Sequence, residues 1–404
     1  MHEYTTILGI VLVVLGYGFF SKLLSRYNLS GPMIFTTIGI VLSPLVLGST
    51  PVHPNAQAVQ IVAEIALVTI LFSDAAFINL RHLKSNGEWR IPTRLLFVAL
   101  PVTIVLSYFV AKIFFPDEDA LYLLLLALFL APTDAALGKA VVSDLRIAEK
   151  VRNAINVESG LNDGIVFPVL LTLLVLIGGG AEEARESTGL ASYLLKQIGI
   201  GALAGGVIGW AGALTSRYSM DREWMEHQYG NLIPIALAIF SYYLAEHFSG
   251  NGYIAAFFSG LLFGNTVPSL RVNVEEFAES EGEFLVMISF LVFGLVFVPE
   301  SLPFWSVESL LYALLSLTLL RMLPVALSLF GFGMDLFTKL FIGWFGPRGI
   351  ASILYIIVAI HSLGGMKGHE EIFATASLTI LLSIFLHGLS AQPLAILYSR
   401  RYES

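Results

Sequence analysis

Cysteine is absent from the 404-residue chain, which removes disulfides, thiolate metal ligands and thiol catalysis. Charge is scarce too. Asp, Glu, Lys and Arg make up 13% of the residues, about half the ~25% typical of a soluble domain. So little charge cannot coat a water-facing surface, and no basic block is present to hold nucleic acid. A phosphate-cradling G-x-x-x-x-G-K-[S/T] loop is missing, so ATP is not implied. The 8 histidines are scattered, with no pair at metal-ligand spacing that has a third partner.

Hydrophobic residues fill what remains, at 56% of the chain. Apolar runs of ~18 or more residues recur, long enough to cross a bilayer as helices. They lack the period-two alternation of barrel strands. The expected fold class is an all-α polytopic membrane protein with 13 transmembrane helices, near 5–24, 32–49, 57–79, 92–115, 120–142, 151–178, 190–216, 228–248, 252–266, 282–299, 306–330, 337–360 and 371–397. The first run has no basic region ahead of it and no small-residue cleavage site, and is read as a retained helix. No stretch is long enough for a soluble domain, so residues 1–404 are expected to form a single transmembrane domain.

Lys and Arg set the orientation. Most of the 22 fall after odd-numbered helices or at the C-terminus, whereas Lys112, Arg185, Lys196 and Lys367 fall on the other side. This bias places the N-terminus outside and the C-terminus in the cytoplasm, with the acidic loops Asp117–Asp119 and Glu182–Glu186 facing out. Lys139, Arg321 and Arg348 lie within helices.

The fifth and twelfth helices carry breaks. One holds APTDAALG (Ala131–Gly138), the other GWFGPRGIAS (Gly343–Ser352). Proline removes a backbone donor and clashes with the preceding turn, and glycine loosens the helix further. Irregular backbone at membrane depth survives only where protein buries it or it lines a watery cavity. If residues 1–180 and 228–397 are two six-helix repeats, with 190–216 as a linker, each break falls on the fifth helix of its repeat. The odd linker makes the repeats inverted, the pattern of transporters with a midplane site.

The segment NVESGLNDG (Asn156–Gly164) lies in the first half of the sixth expected helix. On a helix, Ser159 shares a face with Asn162 and Asp163, while Glu158 points ~140° away from Asp163. A carboxylate in the membrane is paired, hydrated or functional. The alternative is a loop ahead of the helix. Asp134 has two compatible readings, as N-cap of the second half of its own broken helix and as part of an ion site with freed carbonyls. Arg321 and Arg348 are buried cations by position, and each needs an anion; Asp74, Asp134, Glu158 and Asp163 are the candidates. A Glu158–Arg321 pair would leave Asp163 available to bind a cation. Arg321 otherwise snorkels to a helix end, and Asp74 otherwise is a solvated helix-end acid. Gly201, Gly205 and Gly209 stand at G-x-x-x-G spacing, read as close helix packing.

Together, APTDAALGKAVV, NVESGLNDGIVFPVLL, GWFGPRGIASIL and SIFLHGLSAQPLA resemble the NhaP-type sodium/proton antiporters of the cation:proton antiporter superfamily. The resemblance runs in order along nearly the whole chain. It implies a multi-pass protein of the cell (inner) membrane, not an enzyme. Such a protein exchanges Na+ or Li+ for H+ by alternating access, as a homodimer with crossed discontinuous helices and no cofactor beyond the transported ions. By motif, Asp163 is the carboxylate that takes the cation or the proton. Asn162 is its neighbour, where electrogenic relatives tend to carry a second aspartate, so exchange is expected to be electroneutral, 1:1. Ser159, the backbone around Thr133 and, from the third helix, Asp74 contribute to the Na+ site. Asp134 and Arg348 support the breaks, and Glu158 pairs with Arg321. Ala135 departs from the family, where proline often follows Thr-Asp. A potassium-preferring exchanger is the alternative. An intramembrane aspartyl protease would need a Gly-x-Gly-Asp signature, where this chain reads Gly-Leu-Asn-Asp at 160–163. A cation channel fits buried counter-charges at crossed breaks less well than a carrier does.

Overall fold

A computed structural model describes residues 2–46, 57–78, 80, 89–178, 190–278 and 282–402. The acidic stretch Glu182–Glu186, Arg185 and the end of the second expected helix lie outside the described residues. Helices follow one another along the chain: α1 (His2–Arg26), α2 (Gly31–Leu42), α3 (Gln57–Phe77), α4 (Arg90–Phe114), α5 (Ala120–Phe129), α6 (Ala135–Val142), α7 (Glu149–Ile177) and α8 (Leu190–Asp221). Then come α9 (Ile233–His247), α10 (Gly252–Thr266), α11 (Arg271–Phe277), α12 (Glu283–Phe304), α13 (Val307–Ser328), α14 (Leu336–Trp344), α15 (Ile350–Leu363) and α16 (Glu370–Tyr402). No strand occurs among the described residues. Among them, 7 helices are long and apolar enough to span a bilayer, or up to 8 if the bent pair around Pro268 is one span. The expected count of 13 is therefore not set by length and composition, because the half-helices α5 and α15 are short.

Several elements depart from expectation for local reasons. Residues 95–99 and 293–297 are π-helical, each just ahead of a proline, Pro101 and Pro299. In both stretches the bonding widens to i→i+5: Leu100 N–H reaches Leu95 O, and Val298 N–H reaches Phe293 O. After α10 the chain turns by 116° at Pro268 into α11, where a plain loop was expected. Helix α13 is interrupted at Thr318, just before Arg321.

The chain divides into two compact units, and three of the four boundaries fall inside helices, between Gln60 and Ile61 in α3, Ser159 and Gly160 in α7, and Leu285 and Val286 in α12; the fourth, between Trp89 and Arg90, falls at the start of α4. The first unit holds both broken helices. Within it an apolar core gathers Leu95, Val141, Val151, Val325, Phe341 and Tyr398. There the α6–α7 connection is tied by Arg146, whose guanidinium donates to Asp144 at 2.6 Å. These hydrogen bonds hold the Asp144 carboxyl below the usual carboxylate range. In the second unit, α8 lies directly on α10. A methyl group on Gly201, Gly205 or Gly209 would strike the backbone at Asn251, Ala255 or Ser259. The G-x-x-x-G spacing is thus spent on packing within one chain. Gly260 and Gly264 of α10 press in the same way on α3 at Phe72 and Ala76. On the surface of the units, side chains such as Phe19, Phe97 and Ile113 in the first and Leu203 and Trp210 in the second are exposed, as a lipid-facing surface requires.

Candidate functional site

The two breaks of the first unit meet. Helix α5 ends at Phe129 and α6 begins at Ala135; helix α14 ends at Trp344 and α15 begins at Ile350. Each break frees carbonyls on one side and N–H groups on the other. The Asp134 N–H donates to Pro347 O at 2.8 Å, and the Asp134 carboxylate accepts the Ile350 N–H at 2.6 Å. For Asp134 the sequence left two compatible readings, an N-cap of the helix that follows it and a place in an ion site, and the resemblance implied support of the break. The structure shows its side chain capping the other broken helix, α15, at the end where the helix dipole favours an anion. Gly349 makes this possible, because a Cβ there would overlap the Asp134 carboxylate.

Arg348 occupies the opposite pole. It is 1% exposed. Its Nε donates to Leu130 O at 2.7 Å, and Nη1 donates to Gly346 O. A carboxylate partner was expected for this cation. It finds the carbonyls at the C-terminal ends of α5 and α14 instead, where two helix dipoles concentrate negative charge. Its backbone N–H donates to Ser383 Oγ of α16 at 2.7 Å. Sequence reasoning missed Ser383; the only signal was its place in the SIFLHGLSAQ motif.

Arg321 lies against the same crossing, 2.6 Å from where a Cβ on Gly346 would sit, with Thr133 at 2.8 Å from that point. Arg321 Nη2 donates to Glu158 Oε2 at 2.7 Å, with both side chains within 2% of full burial. This is the ion pair expected from the shortage of other charges; the snorkelling alternative does not describe Arg321. Ser159 donates from Oγ to Thr133 O at 2.7 Å, which ties α7 to the first break. The stretch carrying Glu158, Ser159, Asn162 and Asp163 lies within α7, not in a loop ahead of it. Asn162 is 0% and Asp163 4% exposed, and Asp163 stands one helical turn beyond Ser159. In the second unit, Asp74 is half-buried near the end of α3, and its backbone carbonyl is 3.8 Å from where a Cβ on Gly160 would be. Among the described residues, no group of three His, Cys, Asp or Glu side chains is arranged to hold a resident metal ion.

A family described as sodium/hydrogen exchanger, transmembrane, matches residues 9–397. The chain is 26% identical to the K(+)/H(+) antiporter NhaP of Alkalimonas amylolytica, over 90% of this chain and 61% of the relative. It is 27% identical to the Na(+)/H(+) antiporter ApNhaP of Aphanothece halophytica, over 94% of this chain and 73% of the relative. The chain thus spans less than two thirds of the first of these proteins. The solved structure of the sodium proton antiporter MjNhaP1 from Methanocaldococcus jannaschii at pH 8 superimposes with a TM-score of 0.78 at 19% identity. That match covers 99% of this chain and 100% of the other, and the two share a fold.

Proposed function

From the premise that the chain belongs to the sodium/hydrogen exchanger family, we propose that it is a secondary transporter exchanging Na+, or Li+, for H+ across a membrane by alternating access. The observation that carries this reading is the meeting of two buried helix breaks, joined by Ser159 to a helix that also bears the buried Asp163. Asp163 is the exchanging carboxylate. Only its bare form binds a cation, so loading Na+ releases H+ and loading H+ releases Na+. Ser159 and the Thr133 carbonyl supply hard oxygen ligands, Asp74 adds a carboxylate from α3, and Asn162 keeps its position beside Asp163 neutral. An empty, charged site is costly to carry through a low-dielectric barrier, so only the loaded protein turns over. Asp134, Arg348 and the Glu158–Arg321 pair hold the framework.

The wider reading places the protein in the cell (inner) membrane as a homodimer. It has an external N-terminus, a cytoplasmic C-terminus, two inverted repeats at 1–180 and 228–397, and no cofactor. The Lys/Arg asymmetry supports the orientation, and the paired breaks support the repeats. The name of the Alkalimonas amylolytica relative favours K+ as the second candidate ion.

Proton flux in proteoliposomes tests the proposal. A pH gradient is imposed, then Na+, Li+ or K+ is added. Cation-triggered proton movement is expected for the wild type, strongest with Na+, and is expected to vanish in Asp163→Asn. A strongest response to K+ would transfer the reading to the potassium exchanger. Silence towards all three, from correctly folded and inserted protein, would remove it.

A further inference from the structure

The motif SIFLHGLSAQ takes no part in the exchange scheme, yet three of its polar residues, Ser383, His387 and Ser390, face the second break. On α16, Ser383, His387 and Ser390 are spaced by four and three residues and so share a face. Ser383 Oγ accepts the backbone N–H of Arg348 at 2.7 Å. His387 Nδ1 lies 3.0 Å from Ser383 O and 3.1 Å from Ser383 Oγ. A carbonyl only accepts, so this geometry assigns the Nδ1 proton to His387. The ring of His387 rests against Trp344, the last residue of α14, at 4.8 Å between centroids, and the Trp344 indole donates to Ser390 Oγ at 2.9 Å. Ser383 is 0% and His387 1% exposed, which leaves no bulk water to replace either group. From Arg348 the contacts continue to Leu130 O, three residues before Thr133, whose carbonyl receives the Ser159 hydroxyl.

We propose that Ser383 and His387 are positioning residues for cation binding. His387 fixes Ser383, Ser383 fixes the backbone of Arg348, and Arg348 fixes the carbonyl end of α5 from which the Thr133 oxygen is presented. The inference rests on the exchange reading, and it predicts an effect on cation affinity more than on turnover. Na+-driven proton flux measured across a range of Na+ concentrations tests it. In Ser383→Ala the apparent KM for Na+ is expected to rise about five- to tenfold, the scale of one lost buried hydrogen bond, with kcat within about twofold of wild type. Ser383→Thr, which keeps the hydroxyl, is expected to restore KM. His387→Leu is expected to raise KM, and His387→Asn, which keeps a donor near Nδ1, to leave it close to wild type. An unchanged KM in Ser383→Ala and His387→Leu would overturn the inference. So would a fall in kcat alone, or a failure of Thr and Asn to rescue. If Ser383→Ala does not fold, the His387 pair carries the same test. Absence of any cation response in the wild type would remove the exchange reading itself, a result distinct from these.

Discussion

Arg321 and Glu158 are almost inaccessible to water, so each depends on the other for its charge to be tolerable. Removing one partner of such a pair leaves an uncompensated buried charge, at a cost of ~3–5 kcal/mol. Arg321→Ala is therefore expected to lower the thermal unfolding midpoint in detergent strongly. A double change of Arg321 to Met and Glu158 to Gln is expected to recover much of that loss, because it removes both charges together. Recovery of stability without recovery of transport would assign the pair a role beyond stability; no recovery of stability would contradict the ion-pair account. Pairing of these two residues was legible in the sequence, since so few charges lie at membrane depth. The partners of Arg348 were not, because its counter-charge is made of backbone carbonyls, and every residue type carries those.

At the scale of elements, the crossing of α5–α6 with α14–α15 is governed by Asp134 and Gly349. Gly349→Ala would push a methyl group into the Asp134 carboxylate and displace the cap of α15. The loss expected is at least the ~1–2 kcal/mol of an N-cap, with transport reduced more than in Asp134→Asn, which keeps an acceptor oxygen. Thermal unfolding and proton flux on the two variants check the order; equal effects would mean that the charge of Asp134, not its position, matters. Both breaks could be read from Pro132 and from the Gly346–Gly349 run, because proline and glycine mark backbone irregularity locally. The exchange of caps between the breaks could not, since a capping side chain within reach in space lies 216 residues away in the chain. The π-helical turns at 95–99 and 293–297 were also invisible: a single inserted residue shifts the apolar period too little to stand out. The turn at Pro268 and the helix after it went unread because α11 is short and mixed in polarity.

For the whole molecule, the proposed exchange, taken as one Na+ for one H+, moves no net charge. A membrane potential acts on a net charge with ~2.3 kcal/mol per 100 mV, and on an electroneutral cycle with nothing. A potassium-diffusion potential set with valinomycin in tight vesicles is expected to leave the Na+-driven proton flux unchanged, and a strong acceleration or inhibition would argue for unequal stoichiometry. The interlocked breaks also bear on how the protein is made. Asp134 has no Ile350 to cap, and Leu130 no Arg348 to receive, until the ribosome has added the 216 and 218 residues that separate them. At ~5–20 residues per second, the first half of the chain waits in or beside the insertion machinery for about 10–45 s with those groups unmatched. The nascent fifth helix therefore cannot take its final place in the lipid when it is synthesised, and an N-terminal fragment ending before residue 346 is one that cellular quality control would be expected to remove.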